Sequence, residues 1–135
     1  MPVQLEISVV IPLYNEEVNI EALHNALITS IGPLQCEFEI VFVDDGSRDG
    51  TSAKLQECFG GEANSRLGFQ FLKHETNAGL GAAIRTGFTH ASGDIILTVD
   101  SDGTYKFSGI PSLLSRLTPG VDIVTASPYH PKGGV

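Results

Sequence analysis

The sequence predicts an α/β fold, in which a mostly parallel β-sheet carries helices on both faces. Short apolar runs rich in β-branched residues alternate with helix-like segments, beginning with the runs Ile7 to Pro12 and Phe38 to Val43. Because these runs are apolar throughout, we expect parallel strands that are buried on both faces. At 135 residues the chain suits a single domain over residues 1–135.

The order of the predicted elements follows from helical spacing and from turn residues. Ile20, Leu23, Leu27 and Ile31 recur at helical spacing in the first helix, and Gly32 and Pro33 end it. The second helix follows the turn at residues 46–50 and ends near Gly60. The later elements are a strand at 68–73, a helix at 78–91, a strand at 94–99, a helix at 110–117 and a strand at 121–126.

Composition and charge narrow the classes of partner. The formal net charge is -8 and only eight Lys and Arg residues occur, which argues against a nucleic-acid surface. A small anionic ligand would need a metal ion or helix N-termini to supply positive potential. Neither a leader peptide nor a membrane-spanning run is recognisable, so we expect a cytoplasmic protein. The two cysteines, Cys36 and Cys58, lie in no metal-binding or redox spacing.

A carboxylate pair follows the fourth predicted strand. Ligands of parallel α/β sheets bind beyond the carboxyl ends of the strands, near the point where the strand order reverses. Asp100 and Asp102 stand at that edge, and alternate carboxylates at a bend suit a hard divalent cation. The alternative is a solvated turn whose Asp residues cap the next helix; the position after a buried strand favours metal binding.

A second acidic pair, Asp44 and Asp45, ends the second predicted strand. A carboxylate there could accept hydrogen bonds from a nucleobase N–H or a ribose hydroxyl. It could equally close an Asx-type turn through Gly46, so we expect the two residues to divide these roles.

The stretch NAGLGAAIRTG has glycines that resemble a phosphate-binding loop. A dinucleotide-binding fingerprint fails here, because Ile84 stands where a small residue is needed and the stretch does not follow the first strand. Gly79 and Gly81 still permit close approach of a ligand, and Arg85 could reach a diphosphate. The four histidines share no spacing typical of a metal site or a nucleophile–base pair, and we expect most to be surface or boundary residues.

Taken together, the blocks SVVIPLYNEE, FVDDGSRDGT, NAGLGAAIRTGF, ASGDIILTVDSDGTY and DIVTASPYHPKGG resemble the successive motifs of family 2 glycosyltransferases of the GT-A fold. The resemblance is strongest to the polyprenyl-phosphate type, such as dolichyl-phosphate mannose synthases. It covers nearly the whole chain, and it implies the N-terminal, donor-binding portion of a larger and here truncated enzyme. A membrane would then be reached only through a further C-terminal part or a lipid acceptor at the cytoplasmic face.

The resemblance implies roles for individual residues. Pro12, Tyr14 and Glu16 would flank the nucleoside, and Asp44 or Asp45 would contact the base. Asp100 and Asp102 would hold Mg2+ or Mn2+ against the diphosphate of a UDP- or GDP-sugar. Substrate contacts are also expected from Gly79, Arg85 and Ser101.

The implied reaction is transfer of the sugar with inversion at the anomeric carbon, with a polyprenyl phosphate as the expected acceptor and a saccharide as the alternative. Two departures from the mannose synthase pattern leave the third metal ligand and one phosphate contact open: the stretch Gly103 to Lys106 after the carboxylates, and Pro128 in the final block. A receiver-type regulatory module and a nucleotidyltransferase are the competing hypotheses. Tyr14 and Asn15 stand where a receiver places its acidic pair, and PLYNEE is not the basic Gly-rich loop of a nucleotidyltransferase.

Overall fold

The computed structural model describes residues 6–34, 36–101, 107–117 and 120. Alternating strands and helices appear in the predicted order, with bounds that differ from the sequence prediction by a few residues. The strand predicted at 121–126 lies outside the described residues. In chain order the elements are β1 Glu6–Leu13, a 3-10 turn Glu17–Asn19, α1 Ile20–Ile31, β2 Glu37–Asp44, α2 Thr51–Phe59, β3 Leu67–Lys73, α3 Leu80–His90, β4 Ile95–Thr98, a 3-10 turn Phe107–Gly109 and α4 Ile110–Ser115.

The strands form a parallel sheet in the order β3-β2-β1-β4. The chain moves from β1 outward through β2 to β3, and then returns to place β4 on the other side of β1. Strand order therefore reverses between β1 and β4, which is where such sheets bind ligands. Within the described part of the chain β4 pairs with β1 alone, and Ile96 on this strand is 37% exposed.

The two faces of the sheet have different cores. Because side chains alternate along a strand, one set points toward α1 and α2 and the other toward α3. The larger core contains Phe42, whose ring centroid lies 4.7 Å from that of Phe59 on α2. The smaller core joins Val10, Val41 and Val43 to Ala83 of α3. The central strands β1 and β2 are therefore buried on both faces, as the sequence predicts.

Helix α3 approaches the sheet closely at Gly87. A Cβ added to Gly87 would lie 2.3 Å from Cγ1 of Val10, a separation that real atoms do not tolerate. The absence of a side chain at this position therefore determines how near α3 lies to β1.

A partly buried polar network around Glu39 anchors the start of β4. Its Oε2 accepts hydrogen bonds from Ser8 Oγ at 2.7 Å and from Ser92 N at 3.0 Å, and Gln70 donates to its Oε1. Ser8 Oγ in turn accepts the N–H of Gly93 at 2.8 Å. Burial disfavours the charged form, but these hydrogen bonds outweigh it and hold the pKa of Glu39 below its ordinary value. The turn that leads into β4 is thus tied to all three other strands.

No helix among the described residues is long and apolar enough to cross a bilayer.

Candidate functional site

The loops that follow β1 and β2 are locked together at the carboxyl edge of the sheet. The backbone N–H of Asn15 donates to Ser47 Oγ at 2.8 Å, and the Asn15 side-chain oxygen accepts the N–H of Arg48 at 2.8 Å. Asn15 adopts a left-handed backbone conformation with φ of 53°, which Asn tolerates better than most residues. This conformation turns the chain sharply between Tyr14 and Glu16.

Further hydrogen bonds extend the same contact. The N–H of Glu16 donates to Thr51 Oγ1 at 2.9 Å, and the Glu17 carboxylate accepts the N–H of Gly50 at 3.2 Å. Asp49 accepts the N–H of Glu17 at 3.3 Å. The two loops therefore form one hydrogen-bonded rim of the edge.

The residues predicted to flank a nucleoside take different positions on this rim. Pro12 is half-buried in β1 and lies opposite Val43, whereas Tyr14 is 42% exposed beyond the end of the strand. Glu16 is half-buried, and its carboxylate accepts a hydrogen bond from Asn19 Nδ2 at 2.7 Å. Of the three, Tyr14 presents the most surface to a ligand.

Asp44 closes the turn after β2, which is the turn role weighed from the sequence. Its Oδ1 accepts the N–H of Ser47 at 2.9 Å, and its Oδ2 accepts the hydroxyl of Ser52. The residue is 1% exposed. Both carboxylate oxygens thus have partners within the protein.

Asp45 joins β2 to the start of α3. Its Oδ1 accepts the N–H of Ala78 at 2.9 Å, and its Oδ2 accepts the N–H of Gly79 at 2.9 Å. His74 Nδ1 lies 2.7 Å from the same Oδ1. Burial opposes ionisation, but the hydrogen bonds from Ala78, His74 and Gly79 outweigh it and lower the pKa of this carboxyl.

His74 is a residue of the site that sequence reasoning passed over as a surface or boundary histidine. Its Nε2 lies 2.8 Å from Thr86 Oγ1 on α3, so its two ring nitrogens connect two structural elements. It directly follows β3 and therefore stands on the same edge as Asp45 and Asp100. Its position directly after a strand is the sequence signal that could have identified it.

The glycines at the start of α3 leave open space beside the helix. Gly79 has φ of 101°, and a Cβ at Gly79 or Gly81 would meet no atom within 4 Å. Arg85, which is exposed, borders an open cleft of about 500 Å³ that also touches Lys73 and Thr86. Two cationic side chains, Lys73 and Arg85, and one carboxylate, Glu75, therefore border this cleft.

Asp100 lies just beyond β4, next to the point where the strand order reverses. The N–H of Val99 donates to the carbonyl of Val10 at 3.1 Å, which extends the pairing of β4 with β1 up to the acidic residue. Asp100 is exposed and Ser101 is half-buried, while Asp102 lies outside the described residues. Among the described residues, no group of three or more His, Cys, Asp or Glu side chains could hold a metal ion.

The fold and the acidic edge define a class of α/β protein that binds ligands at the carboxyl ends of parallel strands. The family model for glycosyl transferase family 2 matches residues 8–135. The chain belongs to this family, and the sequence-based family prediction is confirmed.

Several relatives at the sequence level are sugar transferases whose names contain a polyprenyl or dolichol phosphate. The chain is 34% identical over 118 residues to the undecaprenyl-phosphate 4-deoxy-4-formamido-L-arabinose transferase of Aeromonas hydrophila subsp. hydrophila, covering 87% of the chain and 35% of that relative. It is 35% identical over 130 residues to the dolichol-phosphate mannosyltransferase of Pyrococcus furiosus, covering 96% of the chain and 35% of that relative. The chain thus spans about a third of the length of these relatives.

Solved structures confirm the GT-A fold. A mannosyltransferase from Pyrobaculum calidifontis, in complex with GDP-Man and Mn2+, superposes with a TM-score of 0.71 at 22% identity, over 87% of this chain and 34% of that one. A second match is glucosyl-3-phosphoglycerate synthase from Mycobacterium tuberculosis, in complex with Mn2+, UDP and glucosyl-3-phosphoglycerate. It superposes with a TM-score of 0.64 at 26% identity, over 86% of this chain and 40% of that one.

Proposed function

We propose that this protein is an inverting glycosyltransferase that moves a sugar from a UDP- or GDP-sugar to a polyprenyl phosphate. The observation that carries the proposal is the position of Asp100, an exposed carboxylate at the strand-order reversal in a family 2 chain. The polyprenyl-phosphate acceptor is supported by the names of the relatives that match most of the chain. A saccharide acceptor is the alternative.

Asp100 and Asp102 would hold Mg2+ or Mn2+. The exposed carboxylate of Asp100 fits this role because hard divalent cations prefer oxygen ligands and Asp100 stands at the ligand edge. The solved complex of the Mycobacterium tuberculosis synthase, which shares this fold, contains both Mn2+ and UDP. When bound, the cation would supply Lewis-acid stabilisation of the departing diphosphate.

Other residues of the edge would bind and orient the donor. Helix geometry leaves the N–H groups in the first turn of α3 without intrahelical acceptors, and they are suited to phosphate oxygens. Gly79 and Gly81 leave the space for such an approach, and Arg85 lies on the same helix. On the rim formed by the β1 and β2 loops, the exposed ring of Tyr14 would flank the nucleoside. Contacts from Pro12, Glu16, Asp44, Asp45 and Ser101 to the donor belong to the same proposal.

The acceptor determines whether the chain needs a general base. A lipid phosphate is ionised near neutral pH, so its oxygen can attack the anomeric carbon without proton removal, whereas a saccharide hydroxyl requires a base. Attack from the face opposite the departing diphosphate inverts the anomeric configuration. With a polyprenyl acceptor, the reaction would take place at the cytoplasmic face of a membrane.

The experiment is a thermal-shift titration with UDP or GDP in the presence and absence of Mn2+. Ligands that bind only the folded state raise the melting temperature, so we expect a rise that requires metal and nucleotide together. Asp100→Asn and Asp102→Asn should abolish the rise. Asp94→Asn is the matched control, because it changes an exposed carboxylate just before the start of β4, at the other end of the strand from Asp100. This variant should keep the metal-linked rise in melting temperature.

Absence of any metal-linked shift in the unaltered protein would contradict the proposal. Phosphorylation of an Asp by a small phosphodonor would favour a receiver-type regulatory module instead.

A further inference from the structure

His74 lies between three structural elements at the carboxyl edge of the sheet. It directly follows β3, its Nδ1 is 2.7 Å from Asp45 Oδ1 after β2, and its Nε2 is 2.8 Å from Thr86 Oγ1 on α3. The side chains of His74 and Asp45 are 19% and 6% exposed. Both ring nitrogens are therefore committed to partners inside the protein.

The segment from His74 to Gly79 folds around Asp45 and Gly46. The N–H of His74 donates to the Asp44 carbonyl at 2.8 Å, and Asn77 Nδ2 donates to the Asp45 carbonyl at 3.2 Å. A Cβ at Gly46 would lie 2.4 Å from the backbone nitrogen of Asn77, so the segment has no room to move inward. The segment therefore packs closely against the turn after β2.

The Asp45 carboxylate connects His74 to the two residues just before α3. Its Oδ1 contacts the imidazole and accepts the Ala78 N–H, and its Oδ2 accepts the Gly79 N–H. Gly79 is the residue just before α3 and has φ of 101°, a conformation that turns the chain into the helix. The orientation of this carboxylate therefore bears on the backbone at the point where α3 begins.

We propose that His74 is a positioning residue for the donor site. It holds the Asp45 carboxylate in the orientation that binds Ala78 and Gly79, and Thr86 fixes the imidazole from its other nitrogen. With Nδ1 donating to the carboxylate, the neutral ring presents Nε2 as the acceptor for the Thr86 hydroxyl. The inference rests on the proposed function, because the first turn of α3 is there assigned to the donor phosphates.

The test compares His74→Phe and Thr86→Val with two controls on the same helix, Thr89→Val and His90→Asn. Thr89 and His90 are exposed, and the side chains of both bond to backbone carbonyls of α3. The first readout is amide hydrogen exchange of Ala78 and Gly79 in the protein without ligand. The second is the Kd for UDP and GDP in the presence of Mn2+.

We expect His74→Phe to speed exchange at Ala78 and Gly79 and to raise the Kd, each by roughly tenfold or more, because a charge-assisted hydrogen bond is lost. Thr86→Val should act in the same direction with a smaller effect. In His74→Asn the side-chain NH2 can still donate to the Asp45 carboxylate. This variant should therefore keep part of the slow exchange at Ala78 and Gly79 and part of the affinity for UDP and GDP. Amides of α2 should keep their exchange rates in every variant, and the controls should match the unaltered protein.

Unchanged exchange at Ala78 and Gly79 in a folded His74→Phe protein would overturn the role of His74 in setting this segment. Changed exchange with an unchanged Kd would overturn the link to the donor. Failure of the unaltered protein to bind any nucleoside diphosphate would overturn the proposed function and the donor link together, while exchange alone would still decide whether His74 holds the segment.

Discussion

The backbone N–H of Asn15 and the hydroxyl of Ser47 are joined by a 2.8 Å hydrogen bond, although the two residues stand 32 positions apart. The reciprocal bond from the N–H of Arg48 to the Asn15 side chain closes the contact. The loop that carries Tyr14 is therefore held by the loop after β2, and its shape depends on a residue that sequence reasoning did not single out for this role.

Replacement of Asn15 should separate its two contributions. Asn15→Gly keeps the left-handed backbone and loses the bond to Arg48, and we expect a loss of about 1 kcal/mol in the free energy of unfolding. Asn15→Ala loses the same bond and also loses the local side-chain hydrogen bonding that lets Asn tolerate a positive φ, so it should lose about 2 kcal/mol or more. Urea denaturation measures the free energy of unfolding of both variants. The control is Asn25→Ala, at an exposed helical position, and its free energy of unfolding should lie within about 0.5 kcal/mol of that of the unaltered protein. Equal losses for Gly and Ala would contradict the role of the backbone conformation.

Two glycines of α3 should respond to alanine in opposite directions. Gly87→Ala places a Cβ 2.3 Å from Val10 Cγ1, so we expect a loss of about 1–3 kcal/mol from overpacking. At Gly81 nothing lies within 4 Å, and alanine should stabilise the helix by about 0.5 kcal/mol. Thermal denaturation of the pair checks this. A destabilised Gly81→Ala protein would show that the space beside the helix is needed for folding.

The neighbouring carboxylates Asp44 and Asp45 should differ in their tolerance of an amide. Asp44→Asn can donate its NH2 to the Ser52 hydroxyl, which is also an acceptor, and still accept the Ser47 N–H. Asp45→Asn must turn its NH2 toward a backbone N–H, because Ala78 and Gly79 bind different oxygens. We expect a loss below about 1 kcal/mol for Asp44→Asn and about 2 kcal/mol for Asp45→Asn. Equal losses in urea denaturation would contradict the assignment.

Acid should destabilise the protein partly through Glu39. Its pKa is lowered in the folded state, so the stability it contributes is present above the unfolded-state value of 4.5 and is lost as the pH falls through the folded-state value. Glu39→Gln should reduce stability near neutral pH and flatten the decline in melting temperature below about pH 4.5. The exposed Glu75→Gln is the control and should preserve the slope. An unchanged slope in Glu39→Gln would rule out this contribution.

The sequence alone was sufficient to predict the α/β class, the order of the elements and the family. These properties follow from local patterns: apolar β-branched runs, helical spacing such as Ile20 to Ile31, and glycines at the turns. The edge on which Asp44, Asp45 and Asp100 lie was also predictable, because parallel strands place all their carboxyl ends on one side.

The tertiary structure decided which side chains meet at that edge. The contacts of Asp45 with His74 and of Asn15 with Ser47 join residues 29 and 32 positions apart, and no periodicity in the chain encodes such pairs. They arise because crossover connections bring separate loops to one edge, and at Asp45 the buried carboxylate must also find partners there. The same requirement assigned Asp44 and Asp45 to the Ser47 turn and to the start of α3, a division of roles that the sequence had left open.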